Sequence, residues 1–237
     1  MSDVFEKSPR NRVVRRPHRG KYDKATVYDI LDSALVCHIA YAIDGQPYCT
    51  PTSFWREGDH LYWHGSSASR MIRAQGKGVP VCLTVTHVDA IMLARCGFNH
   101  SVNYRSVMAY GTAYLIDDPE RKLQLMDNFL DRYFPGRAAT MRPATTQEIK
   151  ATSFIGMEIE TASGKIRDEV LHDEDGDYET PAWVAKLPVR TTFGAPEECD
   201  RLLPGVEKPE GMAGYVDGAR VDAVMLDAFR KWSGEAG

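Results

Sequence analysis

The stretch YWHGSSASRMIR, residues 62–73, places a histidine, three serines and an arginine where a strand gives way to a helix. A helix that begins near Ser66 leaves its first backbone N–H groups unpaired and carries partial positive charge at that end. The hydroxyls of Ser66, Ser67 and Ser69 can donate hydrogen bonds to phosphate oxygens. Arg70 can add a forked, permanently charged donor. Capping by one serine explains one hydroxyl but not three together with an arginine, so the stretch predicts a phosphate site.

Upstream of this stretch, strand patterns alternate with tight turns. The apolar run Ala34–Ile43 ends at Asp44-Gly45, a strong hairpin signal, and Pro47–Arg56 continues with β-forming residues. A second turn at Glu57-Gly58-Asp59 leads into the strand before the serines, which predicts an antiparallel meander. Trp63 in that strand can present its flat face to a planar ring attached to the phosphate.

Downstream, further strands and helices follow. Strand patterns occupy Val79–Val85, the apolar run Asp89–Cys96, Val102–Ile116 and Phe154–Thr161. Helices are predicted at Lys24–Ser33, after Ser66, at Pro119–Tyr133 with Asp118 as N-cap, and at Arg220–Trp232. From Gly164 onward the chain is acidic and rich in proline and glycine, which predicts irregular structure outside that last helix. Six or more antiparallel strands with few helices predict a β-barrel with helical decoration.

Composition indicates a globular protein. The 237 residues are 43% hydrophobic and 26% charged, with a formal net charge of −4, so no general basic field is available to hold nucleic acid. Residues 10–24 are locally basic and predict a solvated arm, or a contact with a partner subunit or an anionic ligand. Five cysteines without CxxC spacing predict reduced thiols, and no segment has the apolar length of a membrane span. These features predict a cytoplasmic protein.

Most catalytic motifs are missing from the sequence. It contains no GxSxG, no HExxH, no P-loop and no GxGxxG after a strand. The seven histidines show no metal-ligand spacing, and His38 and His87 fit strand positions in the core or on the surface. The acidic run Asp168–Glu179 lacks the spacing of a calcium site and predicts a solvated loop. No metal site is therefore expected.

Three segments carry a resemblance to a known family. In order they are LDSALVCHIAYAIDGQPYCTPTSFWREGDHLYWHGSSASRM, NYRSVMAYGTAYLI and FIGMEIETASGK. Their order and spacing resemble the pyridoxamine 5′-phosphate oxidase-like family of FMN-binding split barrels, and within it the flavin-nucleotide-binding branch with the nitroimidazole-resistance proteins. The resemblance covers roughly residues 25–190. It implies a mainly β fold, a six-stranded antiparallel split barrel of Greek-key type with flanking helices, and a homodimer with two FMN molecules at its interface.

The resemblance also implies which residues bind the cofactor. Ser69 and Arg70 are expected to hold the FMN phosphate, with Ser66 and Met71 in the same segment. Trp63 and His64 are expected to line the flavin ring, and Thr52 and Ser53 are expected to meet its edge. Arg105 and Ser106 are expected to reach the ring from below or from a partner subunit. Trp183 is expected to cover the site. The chain departs from oxidases of pyridoxamine phosphate, since its second strand lacks their basic residue and RLLP at 201–204 lies well before the end. The substrate therefore cannot be inherited from the family name.

Together these observations predict three segments. Residues 1–23 form a basic N-terminal arm, residues 24–190 an FMN-binding split-barrel domain, and residues 191–237 an irregular extension with a short helix. The predicted function is that of an FMN-dependent oxidoreductase acting on a small planar acceptor such as a nitroaromatic or a quinone, without an acid–base triad. Two alternatives stay open: a haem-binding split barrel with His64 near the metal, and a flavin-binding module without enzymatic activity.

Overall fold

A computed structural model describes residues 2–234. The strands are β1 (Gly20–Lys21), β2 (Val36–Ile43), β3 (Gln46–Glu57), β4 (His60–Ser66), β5 (Val79–Leu93), β6 (Ser101–Ile116), β7 (Thr152–Glu158), β8 (Thr161–Arg167) and β9 (Ala185–Pro188). The α-helices are α1 (Lys24–Asp32), α2 (Arg70–Gln75), α3 (Pro119–Tyr133), α4 (Thr146–Ala151) and α5 (Val221–Ser233). Four short 3₁₀-helices lie at Pro17–Arg19, Ala138–Thr140, Asp175–Glu179 and Glu210–Met212.

Six of the strands close a barrel. Antiparallel pairing runs β6–β7–β4–β3–β2–β5 and returns from β5 to β6, which confirms the predicted six-stranded split barrel. The split arises in β6, which pairs with β8 from Tyr104 to Tyr110 and with β7 from Ala113 to Ile116. Gly111 lies between these two ladders, where an added Cβ would be 2.1 Å from the carbonyl oxygen of Glu158. A glycine is needed there because backbone, rather than a movable side chain, occupies the space.

Two helices cover opposite ends of the barrel. Helix α1 buries Val27, Ile30 and Leu31 against the core, and α2 buries Ile72. Helix α2 comes just before β5, which starts at Val79. His87 lies eight residues further along the same strand, and its ring is 3.3 Å from the carbonyl oxygen of Ile30 in α1. At about 3.3 Å per strand residue the two ends are roughly 26 Å apart.

A second apolar cluster lies outside the barrel, under α3. It contains Trp55, Tyr62, Leu125 and Phe154, all buried. The predicted N-cap is present, since the Asp118 carboxylate accepts hydrogen bonds from the backbone N–H groups of the first turn of α3. This cluster gives the barrel two different faces at β4, one toward the core and one toward α3.

Three predicted boundaries are wrong. Helix α2 begins at Arg70 instead of Ser66, because β4 stays paired with β7 as far as Ser66. The two runs predicted between Val79 and Cys96 form one strand, β5, with a bulge between Val88 and Ala90. The predicted strand Phe154–Thr161 is two strands, and residues beyond Gly164 continue in β8 because they pair with β6.

The N-terminal arm is packed against the barrel and is not a solvated tail. Phe5, Asn11 and Tyr22 are buried, and β1 pairs with β8. The C-terminal helix forms close to its predicted position and buries Met225, Ala228 and Phe229. No helix among residues 2–234 is long and apolar enough to cross a membrane.

Candidate functional site

The serine loop, residues 66–69, is held by hydrogen bonds at both ends. The backbone N–H of Ser67 donates to the carbonyl oxygen of Ala151 at 2.9 Å, and that of Ser69 donates to the carbonyl oxygen of Ser66 at 2.9 Å. The Ser66 hydroxyl accepts from the N–H of Ala68 at 3.2 Å, so it stabilises the turn and does not cap the helix. Ser69 is the N-cap residue, yet its side chain makes no capping bond. Its hydroxyl is thus left for another partner.

Arg70 supplies a positive charge beside this loop. Its guanidinium lies 4.7 Å from the centre of the Tyr48 ring, and Tyr48 stacks on Tyr41 at 5.6 Å. Arg70 is exposed and forms no ion pair with any residue between 2 and 234. Helix α2 has only six residues, so its macrodipole contributes less positive potential at the loop than the sequence predicted. The positive charge at this site therefore comes mainly from Arg70. Arg73 fastens the loop by donating to the carbonyl oxygen of Ser67 at 3.1 Å.

Two predicted site residues have side chains that point into the barrel. Trp63 has 0% of its surface exposed, lies in the core cluster and donates from Nε1 to Oε1 of Gln75 at 2.8 Å. The prediction that Trp63 presents its face to a ring is wrong, because alternation along β4 turns it inward. Met71 packs partly buried against the same core, so its side chain is not offered to a phosphate.

His64 faces the outside of the barrel, opposite to Trp63. Its ring lies 4.6 Å from that of Phe129 and 5.6 Å from that of Phe154, at the edge of the cluster under α3. Burial lowers the pKa of His64, so the neutral imidazole is favoured at pH 7. The Nδ1 atom is buried without a hydrogen-bond partner, which leaves Nε2 as the nitrogen that can meet a ligand.

Thr52 and Ser53 lie on the neighbouring strand. The Thr52 hydroxyl donates to the carbonyl oxygen of Ser53 at 3.3 Å, and Ser53 is exposed on the outer face. Ser53 pairs with Val36 of β2, and the register of Phe54 opposite Trp63 brings Ser53 beside His64. These strands bring Ser53 and His64 together on one outer face, which ends at the serine loop.

The other predicted residues lie at the far end of the barrel. Arg105 donates to both carboxylate oxygens of Asp89, with a shortest distance of 2.8 Å, and to Asp222 at 2.9 Å. The hydrogen bond to Asp89 raises the pKa of Arg105. Ser106 contacts the carbonyl oxygen of Lys165 at 3.4 Å. Trp183 is 72% exposed and precedes β9, which pairs with the distal end of β5. In one chain, none of these three residues joins the serine loop.

A sequence model described as pyridoxamine 5′-phosphate oxidase matches residues 23–166. The chain belongs to the pyridoxamine 5′-phosphate oxidase family. A search of curated proteins returned no match. Among solved structures, the flavocytochrome Anf3 from Azotobacter vinelandii is 40% identical, with a TM-score of 0.80 over 86% of this chain and 94% of its own. An FAD and heme binding protein from Mycobacterium smegmatis is 30% identical, with a TM-score of 0.79 over 86% of this chain and 98% of its own.

A third solved structure is less similar to this chain. A putative 5-nitroimidazole antibiotic resistance protein from Bacteroides thetaiotaomicron is 22% identical, with a TM-score of 0.49 over 62% of this chain and 86% of its own.

The sequence did not point to several groups that the structure of this protein brings out. Tyr48 was detectable, because the turn at Asp44-Gly45 sets it opposite Tyr41. Asp173, inside the acidic run predicted as solvated, is 1% exposed and accepts hydrogen bonds from Arg95. Its carboxylate, that of Asp177 and the Cys96 thiol offer ligand atoms within 4.8 Å of one another. Asp173 is already paired with a guanidinium, so this cluster differs from an open metal site.

Proposed function

We propose that this protein is a flavin-dependent oxidoreductase that holds its cofactor by the phosphate next to the ribityl chain. The observation that carries the proposal is the unpaired Arg70 guanidinium on Tyr48, beside a serine loop with an unused Ser69 hydroxyl. The first backbone N–H groups of α2, including that of Met71, donate to no acceptor among residues 2–234. Charged, hydroxyl and amide donors thus meet at one rim of the barrel, as a phosphate requires.

The ring would lie against the outer face next to this loop. Ser53 and Val36 are small side chains at exposed positions there, and His64 borders them. A bound flavin supplies hydride and single-electron chemistry, while the protein positions the ring and excludes side reactions. The phosphate recognised is common to FMN and FAD, so FMN is the smallest flavin nucleotide expected to bind.

The acceptor is proposed to be a small planar molecule. The segment Thr50–Trp55 carries no charged side chain to hold a second phosphate, which disfavours pyridoxamine phosphate as substrate. Nitroaromatics and quinones instead stack on a flat ring and need few polar contacts.

A homodimer is part of the proposal. Exposed apolar side chains on the strands, at Val36, Val88, Ile91, Val102 and Met108, are between 40% and 48% accessible in one chain. A second copy could cover them. Arg105 and Trp183 lie too far from the serine loop to act in the same chain, so any contact of theirs with a flavin would come from the second copy. The five free cysteines suit a cytoplasmic location.

Titration and reoxidation test this function. Flavin-free protein is titrated with FMN, FAD and riboflavin, and we expect both nucleotides to bind with micromolar or lower Kd and riboflavin at least tenfold more weakly. The loaded protein is then reduced anaerobically with NADPH or dithionite and mixed with menadione or nitrofurazone, and the oxidised protein is mixed separately with pyridoxamine phosphate, which would donate electrons to the flavin. Reoxidation by the first two supports the proposal. Equal affinity for riboflavin removes the phosphate site, and reoxidation by neither menadione nor nitrofurazone leaves a flavin-binding module without this activity. Rapid reduction of the oxidised flavin by pyridoxamine phosphate would contradict the proposed choice of substrate.

A second candidate is a protein that binds haem as well as flavin. His64 favours it, because a neutral imidazole with Nε2 available is the form that binds a metal, and aromatic rings surround it. The two relatives with TM-scores near 0.8 are named a flavocytochrome and an FAD and heme binding protein. Added haemin should give a Soret band that shifts or disappears in His64→Ala but persists in His60→Ala. An unchanged band in both variants would exclude His64 as ligand.

A further inference from the structure

The N-terminal strap, residues 5–22, is a closed loop on the side of the barrel. Its ends are joined by a hydrogen bond from the N–H of Phe5 to the carbonyl oxygen of Tyr22 at 2.8 Å. The N–H of Val13 also donates to the Tyr22 hydroxyl at 2.8 Å, which ties the middle of the strap to its base. The basic segment seen in the sequence is therefore held in a fixed conformation.

Two arginines fasten the strap to the barrel. Arg10 forms an ion pair with Glu160 at 2.8 Å, and Arg19 forms one with Glu169. Between them the Asn11 side chain, 3% exposed, donates to the carbonyl oxygen of Ala162 at 3.0 Å. The charges of Arg10 and Arg19 are therefore paired with carboxylates of the barrel.

Most other basic side chains of the strap form no ion pair within the part of the chain that the structure describes. Five exposed side chains form no ion pair with any residue from 2 to 234, namely Lys7, Arg12, Arg15, Arg16 and Lys21. Residues 1–24 contain eight Lys or Arg and three Asp or Glu, a net charge of +5, whereas the whole chain carries −4. The rest of the molecule is thus strongly acidic, and the strap is a local positive surface on it.

We propose that the strap docks the acidic face of a one-electron carrier protein that reduces the bound flavin, an inference that rests on the proposed function. Each carrier molecule loses one electron, and two such transfers with one proton from solvent reduce the flavin. Charge pairs that steer a partner without burying a large area suit the short-lived complexes of electron transfer.

The position of the strap supports this role. The Arg10 guanidinium lies 5.3 Å from the centre of the Tyr110 ring on β6, and its partner Glu160 accepts from Thr112 at 3.0 Å. Thr112 pairs with Pro80 near the start of β5, close to the barrel end covered by α2. A carrier docked at the Arg10 end of the strap would therefore lie toward the barrel end that carries the serine loop, whereas the Arg19 end lies near Asn103, which is hydrogen-bonded to Glu169.

A nucleic acid fits this surface less well than an acidic protein. The tyrosine of the strap, Tyr22, is 9% exposed and lies under Lys7 at 4.9 Å, so it cannot stack on a base. An extended phosphate backbone that leaves the strap would meet the acidic remainder of the chain. A compact acidic protein can contact the strap alone.

The test uses the full-length protein as purified and a plant-type [2Fe–2S] ferredoxin as the acidic carrier. Binding is measured by calorimetry at 20 and 300 mM NaCl, and flavin reduction is followed by stopped flow with reduced ferredoxin and, separately, with dithionite. The strap variant combines Arg12→Gln, Arg15→Gln and Lys21→Gln. The control variant combines Arg137→Gln, Lys150→Gln and Arg201→Gln. These three exposed cations lie elsewhere and form no ion pair with any residue from 2 to 234.

We expect ferredoxin to bind at low salt and at least tenfold more weakly at 300 mM. The strap variant should bind ferredoxin at least tenfold more weakly, and its flavin should be reduced by ferredoxin at least tenfold more slowly. Its rate of reduction by dithionite should stay unchanged. The control variant should stay within twofold of the native protein in all three measurements. The proposal would be overturned if ferredoxin did not bind, or if both variants lost affinity equally. A changed oligomeric state of the strap variant, or strap-dependent binding of a 20-base-pair DNA duplex, would also overturn it. A purified protein that takes up no flavin refutes the proposed function, while the calorimetry still reports on docking.

Discussion

The Arg70 guanidinium stacks on the Tyr48 ring at 4.7 Å, and this contact joins the start of α2 to the β2–β3 hairpin. A cation held by an aromatic ring keeps its full charge and its N–H donors, whereas a carboxylate partner would use both. Tyr48 is itself braced by stacking on Tyr41. The arrangement orients a charged donor next to the serine loop without neutralising it.

Replacement of Arg70 tests the phosphate site. Arg70→Ala should weaken FMN and FAD about tenfold or more, roughly 1.4 kcal/mol, and leave riboflavin almost unchanged. Tyr48→Leu should give a smaller loss, because the arginine remains but its orientation is less restricted. Flavin fluorescence titration measures all three ligands, with Arg137→Ala as the control for loss of a surface cation. Parallel losses for riboflavin would show that Arg70 does not act on the phosphate.

Arg105 and Asp222 offer a test of the far end of the barrel. Asp222→Asn removes the ion pair that ties α5 to β6, so we expect a loss of about 1–2 kcal/mol in unfolding free energy and faster proteolysis of the segment before α5. Flavin affinity should stay within twofold. Arg105→Ala should destabilise more, because it leaves the carboxylates of Asp89 and Asp222 without their shared partner. A large loss of flavin affinity in Arg105→Ala but not in Asp222→Asn would instead support a cofactor contact across subunits.

The stability of the protein should fall between about pH 7 and pH 5. Burial lowers the pKa of His64, and burial together with Arg105 lowers that of His87. As the pH falls through about 6.5 the unfolded chain binds protons that the folded chain refuses, so unfolding becomes easier by at most about 1.4 kcal/mol per pH unit and group. His64→Phe should flatten this decline. Urea unfolding at pH 7.5 and 5.5 measures both slopes, and identical slopes would show that His64 titrates normally in the folded state.

The elements with strong local signals could be predicted from the sequence. The turn at Asp44-Gly45 and the cap at Asp118 set the bounds of their neighbours, and the order of strands predicts a β-barrel with helical decoration. The six-stranded split arrangement was implied by the family resemblance and not by the strand pattern. By contrast, β8 reads TASGKIR, which lacks clean alternation, and it becomes a strand because the long β6 offers it a partner. Local pattern carries no information about such a distant ladder.

The candidate site could be predicted from the sequence only where its residues are close together in the chain. The serine loop and Arg70 are neighbours in sequence, so their chemistry was visible there. Alternation along β4 puts Trp63 and His64 on opposite faces, but the sequence does not say which face is the core. The partners of Arg105 were hidden because Asp222 lies 117 residues away in the chain.

The buried ion pair between Asp32 and Arg56 should be sensitive to loss of one partner. Arg56 donates to both carboxylate oxygens of Asp32, with distances of 2.6 to 3.3 Å, and both side chains are at most 3% exposed. Arg56→Met leaves a buried carboxylate short of its charge partner and should cost about 3–5 kcal/mol in unfolding free energy. The double variant Asp32→Leu/Arg56→Met should recover part of that loss. Chemical denaturation of the native protein, Arg56→Met, Asp32→Leu and the double variant measures it, and additive losses would argue against coupling of the pair.

Gly111 is expected to be among the least tolerant positions of the barrel. A Cβ there would lie 2.1 Å from the carbonyl oxygen of Glu158 and 2.6 Å from Cγ of Met157, and the first contact is with backbone that cannot rotate away. Since β6 changes its partner from β8 to β7 around this residue, Gly111→Ala must push the two ladders apart. We expect a loss of several kcal/mol or failure to fold.

A matched substitution separates this effect from the general cost of replacing a glycine. Gly97 is in the loop between β5 and β6, where an added Cβ meets nothing within 4 Å, so Gly97→Ala should leave stability within about 0.5 kcal/mol of the native protein. Thermal unfolding and soluble yield of the two variants make the comparison. A Gly111→Ala protein with native stability would mean that β6 can shift away from Glu158 at little cost, and the split of the barrel would then not depend on the missing side chain.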